Sequence, residues 1–139
     1  LFYCEDIPQV LAECRRVLKN GGRFLCSTYG KQHMREITDL VQQFHKEIVL
    51  SAEVLYERFG LENGENLLAP YFPEIQMRRY EDAIEIAEAE PLISYILSCH
   101  GNQNQLLLNQ YKEFREFVSA RVADGFHITK DAGIFLCRK

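Results

Sequence analysis

The chain has no tryptophan, only four prolines, and no apolar run near the roughly 20 residues that crossing a bilayer requires. A membrane-spanning helix is therefore not expected. Pairs of cysteines in CxxC spacing are also missing. Cys4, Cys14, Cys26, Cys99 and Cys137 are odd in number and widely separated, and His33, His45, His100 and His127 are equally scattered. Structural zinc draws its ligands in closely spaced pairs, so no metal is expected. Four of the five cysteines sit in apolar-rich stretches, where a free thiol behaves as a small hydrophobe. The simplest expectation is a reduced, cytoplasmic protein. Clusters of Lys and Arg are absent as well. With 16 basic residues against 20 acidic ones the net charge is -4, which argues against nucleic acid as a partner.

What is present is enough for one core, in a chain of ordinary domain length, 139 residues. Ile7, Val10, Leu11, Cys14, Val17 and Leu18 form one apolar stripe at helical period and predict a helix from Asp6 to Lys19. Asp6 suits the N-cap, Pro8 the first turn, and Asn20-Gly21 the end. The run from Phe24 to Tyr29, closed by Gly30, reads as a strand. Helix, Gly turn and apolar strand make half of a βαβ unit and predict a covered, largely parallel sheet. Gln32 to Glu47 reads as a helix, and Ser51 as the N-cap of another from Ala52 to Phe59. A short helix is expected through Leu68. Extended segments follow from Phe72 to Tyr80 and from Ala83 to Ile86. A helix starts at Pro91, and a longer one spans Gln105 to Ala123, with Leu107, Leu108, Tyr111, Phe114, Val118 and Val122 buried. The final residues read as a bent hairpin, with Lys130-Asp131-Ala132-Gly133 as its turn. Leu1-Phe2-Tyr3 reads as the tail of a strand, which makes the chain an excised piece of a larger domain.

Four phrases in order resemble one family. The stretch from Asp6 through Arg16-Val17-Leu18-Lys19-Asn20-Gly21-Gly22-Arg23-Phe24 is similar to the "hxEhxRVLKPGGxh" segment of class I S-adenosylmethionine-dependent methyltransferases, with Asn20 where Pro is usual. Phe59 to Gly64, Arg79 to Ala83 and Glu90 to Ile96 look like a bacterial subgroup of these enzymes. The resemblance implies an α/β fold over residues 1–139. It would be the later strands of a doubly wound, Rossmann-like sheet with an antiparallel last strand and a helical insertion over residues 31–71. It implies S-adenosylmethionine as cofactor, yet the family's GxGxG loop does not occur in this sequence. Gly21-Gly22 lies between a helix and a strand, the reverse of a nucleotide-binding loop. By the resemblance, Tyr3 and Cys4 form one wall of the cofactor site, and this chain alone is expected to be inactive and to bind the cofactor weakly.

Ligands of open parallel sheets sit beyond the carboxyl ends of the strands, which singles out Tyr29, Gly30 and His33 for the methyl acceptor, a small molecule. Imidazole and phenol can position an acceptor or take its proton, whereas the structural alternative is packing for Tyr3 and Tyr29 and a helix cap for His33. No base is near Cys4 in sequence, so packing is favoured over nucleophilic chemistry. Arg79 is expected to pair locally with Glu81 or Asp82. The length of the helical stretch between Gly30 and Phe72 suggests an acceptor lid. The competing reading is a non-catalytic interaction module, a homodimer joined through the exposed edge of the Phe24–Tyr29 strand.

Overall fold

Helix α1 (Ile7–Val17) follows from its apolar stripe. Asp6 accepts a hydrogen bond from the Gln9 N–H at 2.8 Å, satisfying one of the donors a helix start leaves open. Ile7 and Leu11 are buried. Gly21 takes a left-handed φ of 75°, a conformation costly for a residue with a Cβ, and the chain enters strand β1 (Arg23–Tyr29). The structure, a computed structural model, describes residues 1–51 and 53–139.

The remaining elements are helices α2 (Arg35–Phe44), α3 (Leu55–Arg58) and α4 (Gly64–Leu68), strand β2 (Glu74–Ile86), helices α5 (Ala89–Ser98), α6 (Gln103–Leu107) and α7 (Tyr111–Val122), and strand β3 (Phe126–Arg138). The fold is mixed α/β with an open three-stranded antiparallel sheet in the order β1-β3-β2. The last strand thus lies between its two predecessors. Tyr29 pairs with Ala132, Cys26 with Phe135 and Arg23 with Arg138.

Several expectations are corrected. Among the described residues no two strands pair in parallel: β3 lies between β1 and β2 and runs antiparallel to both. Leu1–Cys4 is a turn closed by the Cys4 N–H on the Leu1 carbonyl (2.8 Å), not the end of a strand. Lys130–Gly133 is no hairpin turn: these residues run within β3, where ladder pairing overrides their local turn preference. Gly133 serves close approach there, since a Cβ would meet the Arg78 carbonyl oxygen at 2.9 Å. The long helix is broken between α6 and α7, leaving Leu108 76% and Tyr111 44% exposed. Ser51 donates to the Glu53 carbonyl (2.9 Å) and caps no helix; Ala52, its expected first residue, lies outside the described residues.

The chain divides into two compact units. One comprises Leu1–His33, Val54–Glu81 and Asp131–Lys139. Its core joins Leu11 of α1 to Phe59, Leu68, Phe72, Phe135 and Cys137, with Phe24 stacked on Phe72 at 5.3 Å between centroids. The other comprises Met34–Glu53 and Asp82–Lys130. There α7 packs on α5 and α2, and Phe114, Val118, Ile93, Ile96 and Val41 are almost wholly inaccessible. Truncating a ring buried as Phe114 is costs about 3–5 kcal/mol. The 31–71 stretch read as one insertion is divided between the two units.

Candidate functional site

At the carboxyl end of β1, the Tyr29 ring lies 5.6 Å from Phe2, 5.1 Å from His33 and 6.5 Å from Tyr56, centroid to centroid. Phe2 in turn meets Tyr3 edge-on at 4.8 Å. Tyr3 is 77% exposed, so only one side of it packs. The turn over Leu1–Cys4 is held from α3, where Arg58 Nη2 donates to the Cys4 carbonyl at 2.6 Å. The Cys4 side chain packs against the core of this unit. Tyr3, Tyr29 and His33 are thus brought into one aromatic group, while Cys4 stands at its inner margin.

Gly30 is fixed by what surrounds it. Its N–H donates to the Asp131 carbonyl (3.0 Å), and a Cβ there would collide with the carboxylates of Asp131 and Glu62. The next two N–H groups follow the same pattern: Lys31 donates to Glu62 Oε1 at 3.1 Å and Gln32 to Asp131 Oδ2 at 3.3 Å. Arg79 bridges both carboxylates, with Nη2 3.2 Å from Glu62 Oε1 and Nε 2.9 Å from Asp131 Oδ1. The turn from Gly30 is closed by the His33 N–H on the Gly30 carbonyl at 3.1 Å. Two acids and one guanidinium therefore clamp the loop that carries His33. Glu62 and Asp131 are engaged as acceptors and do not stand as unoccupied bases.

The Arg79 partners correct the sequence reading, which places them at Glu81 or Asp82. Sequence spacing does not bring Phe2, Tyr56, Glu62 or Asp131 to this group. The only local signal for them is Gly30 itself, whose missing side chain marks a close approach. His33 is the imidazole of this group, and the cap residue of α2 is Met34, in a left-handed conformation (φ 56°) with no side-chain cap.

Chemically, the aromatic faces attract a cation, and phenol and imidazole can exchange a proton with a bound molecule. Among the described residues no group of three His, Cys, Asp or Glu side chains could hold a metal ion. All five cysteines are free thiols, and no helix among the described residues is long and apolar enough to cross a membrane. No protein-family model matches this chain, and no curated protein matches it.

Proposed function

We propose that this chain forms the acceptor side and one wall of the cofactor site of a cytoplasmic S-adenosylmethionine-dependent methyltransferase acting on a small molecule. The observation that carries the reading is the placement of β3. The resemblance implies an antiparallel last strand, and β3 runs antiparallel beside β1, the strand that the RVLKNGG turn leads into.

The residues fit part of such a cofactor. Tyr3 and Tyr29, joined through the Phe2 ring, suit a sulfonium cation, and Cys4 borders them. Among the described residues nothing comparable suits the nucleoside: Gly21 and Gly22 are used by the turn, where a Cβ on Gly22 would lie 2.7 Å from the Lys19 carbonyl oxygen. When bound, the cofactor supplies an electrophilic methyl group. The chain's own part is to orient the acceptor between Tyr29, Gly30 and His33 and to exclude water around it. His33 is the group placed to hold or take a proton. Calorimetric titration of this chain with S-adenosylmethionine should give weak or undetectable binding, and sub-micromolar affinity contradicts the partial site. A gene product carrying this chain together with a GxGxG segment should bind it, and failure there overturns the methyltransferase reading.

A second reading rests on the sheet edge. Among the described residues β1 is paired on one side only, and Leu25 is 53% exposed on it. Unpaired edges recruit strands, so a homodimer through β1 would serve a non-catalytic interaction module. Sedimentation analysis tests this: a dimer that Ser27→Pro converts to monomer supports it, and a monomer at all concentrations rejects it.

A further inference from the structure

Within the first unit, strand alternation separates the sheet into two faces. Phe24, Cys26, Phe135 and Cys137 turn to the core, so Arg23, Leu25, Leu136 and Arg138 turn the other way. On that second face a solvent-open cavity of about 290 Å³ is lined by Arg23, Arg78, Arg138, Gln76 and Glu74 over Leu136. It lies where β1 begins, at the opposite end of that strand from Gly30.

The charge arrangement of this cavity is unusual for a solvated sheet face. Arg23 stands directly opposite Arg138 in the β1–β3 ladder. Like charges facing each other across strands destabilise a sheet. Among the described residues Arg138 has one carboxylate in reach, Glu74 at 3.7 Å, and both side chains are more than half exposed. Among the described residues, Arg23 and Arg78 take part in no ion pair. Three guanidiniums with one loose counter-charge therefore surround a pocket in a chain whose net charge is -4.

We infer that this cavity binds a small, doubly charged oxyanion, such as a phosphate group or a pair of carboxylates. A guanidinium fork matches two oxygens of either group, and Gln76 adds neutral donors. An anion placed here also relieves the repulsion between Arg23 and Arg138. The volume is at the small end of ligand pockets, which run upward from about 300 Å³, and so selects a compact ligand.

The test is titration of the 139-residue chain with inorganic phosphate and, separately, succinate at constant ionic strength, read by calorimetry and by amide and guanidinium NMR shifts. Saturable binding with a Kd on the order of 1 mM is expected, with shifts at Arg23, Arg78 and Arg138. The tighter of the two ligands identifies the group recognised. Arg78→Gln should weaken binding about tenfold, whereas Glu74→Gln should tighten it about twofold. Arg23→Gln provides the same comparison if circular dichroism shows that Arg78→Gln disturbs the fold. Absence of saturable shifts, or equal affinity in the arginine variants, overturns the inference. Binding confined to a single-stranded oligonucleotide, with a steep salt dependence, overturns it too.

Discussion

Arg79 Nε lies 2.9 Å from Asp131 Oδ1, joining β2 to a carboxylate on β3 that is 7% exposed. The same carboxylate accepts the Gln32 N–H, so a single acid fixes both a neighbouring strand and the loop after β1. Removing one partner of a buried pair leaves an uncompensated charge. Arg79 is itself 38% exposed and keeps Glu62, which reduces the loss. Asp131→Ala should cost about 2 kcal/mol, measured by urea unfolding. A change below the error of the extrapolation would show that water replaces the clamp.

Two glycines should respond differently to the same substitution. Gly21→Ala meets nothing within 4 Å and suffers only its positive φ, at about 1 kcal/mol. Gly30→Ala drives a methyl group into two carboxylates and should cost more, at least about 2 kcal/mol. In the Glu62→Ala background, the cost of Gly30→Ala should shrink. Equal costs for the two glycines would refute the steric account.

Two hydrogen-bonded titratable groups of the other unit, Glu36 and His127, should respond to pH in opposite directions. Burial pushes the Glu36 carboxyl up, but hydrogen bonds from the Thr129 hydroxyl, its own N–H and the Thr129 N–H (3.1 Å from Oε2) outweigh this and hold it below its ordinary 4.5. A lowered value means stability present above 4.5 and lost as pH falls through the folded value. Thr129→Val should cost about 1 kcal/mol at neutral pH, and the difference should narrow on acidification. His127 is held above its ordinary 6.5 by its hydrogen bond to Glu85 (2.5 Å). Its contribution is complete below 6.5 and is lost as pH rises through the folded value. In NMR titration, Glu85→Gln should return the imidazole toward 6.5; an unchanged midpoint excludes the pairing.

Thiol reactivity should follow burial. Burial pushes Cys26 up to about 12, with a smaller contribution from Cys137, and burial alone pushes Cys137 up to about 11. The thiolate is the reactive form, so both should be alkylated last in the native protein. Peptide mass spectrometry after timed iodoacetamide exposure measures the order. Early modification of Cys137 would place it outside the core.

The helical stripes and turn glycines were legible because their signals are local. Asp6 caps α1 through Gln9, and Gly21 takes a positive φ where Asn20-Gly21 is expected to end that helix. The break between α6 and α7 was not legible, since Leu107, Leu108 and Tyr111 fit one helical face by spacing alone. Nor was the course of β3: Lys130-Asp131-Ala132-Gly133 has turn composition, and only its place in the sheet, between β1 and β2, makes it a strand. At the site, Tyr29, Gly30 and His33 could be placed from the end of a strand. Glu62, Arg79 and Asp131 could not, because their meeting depends on sheet order and not on spacing.

That order also bears on how the chain folds. β1 and β2 share no ladder, and each must wait for β3, the strand made after both. The closing contacts are therefore long in sequence, and loop entropy must be met before any ladder forms. During synthesis β1 and β2 would both stand without their ladder partner, which is the period in which association between nascent copies competes with folding.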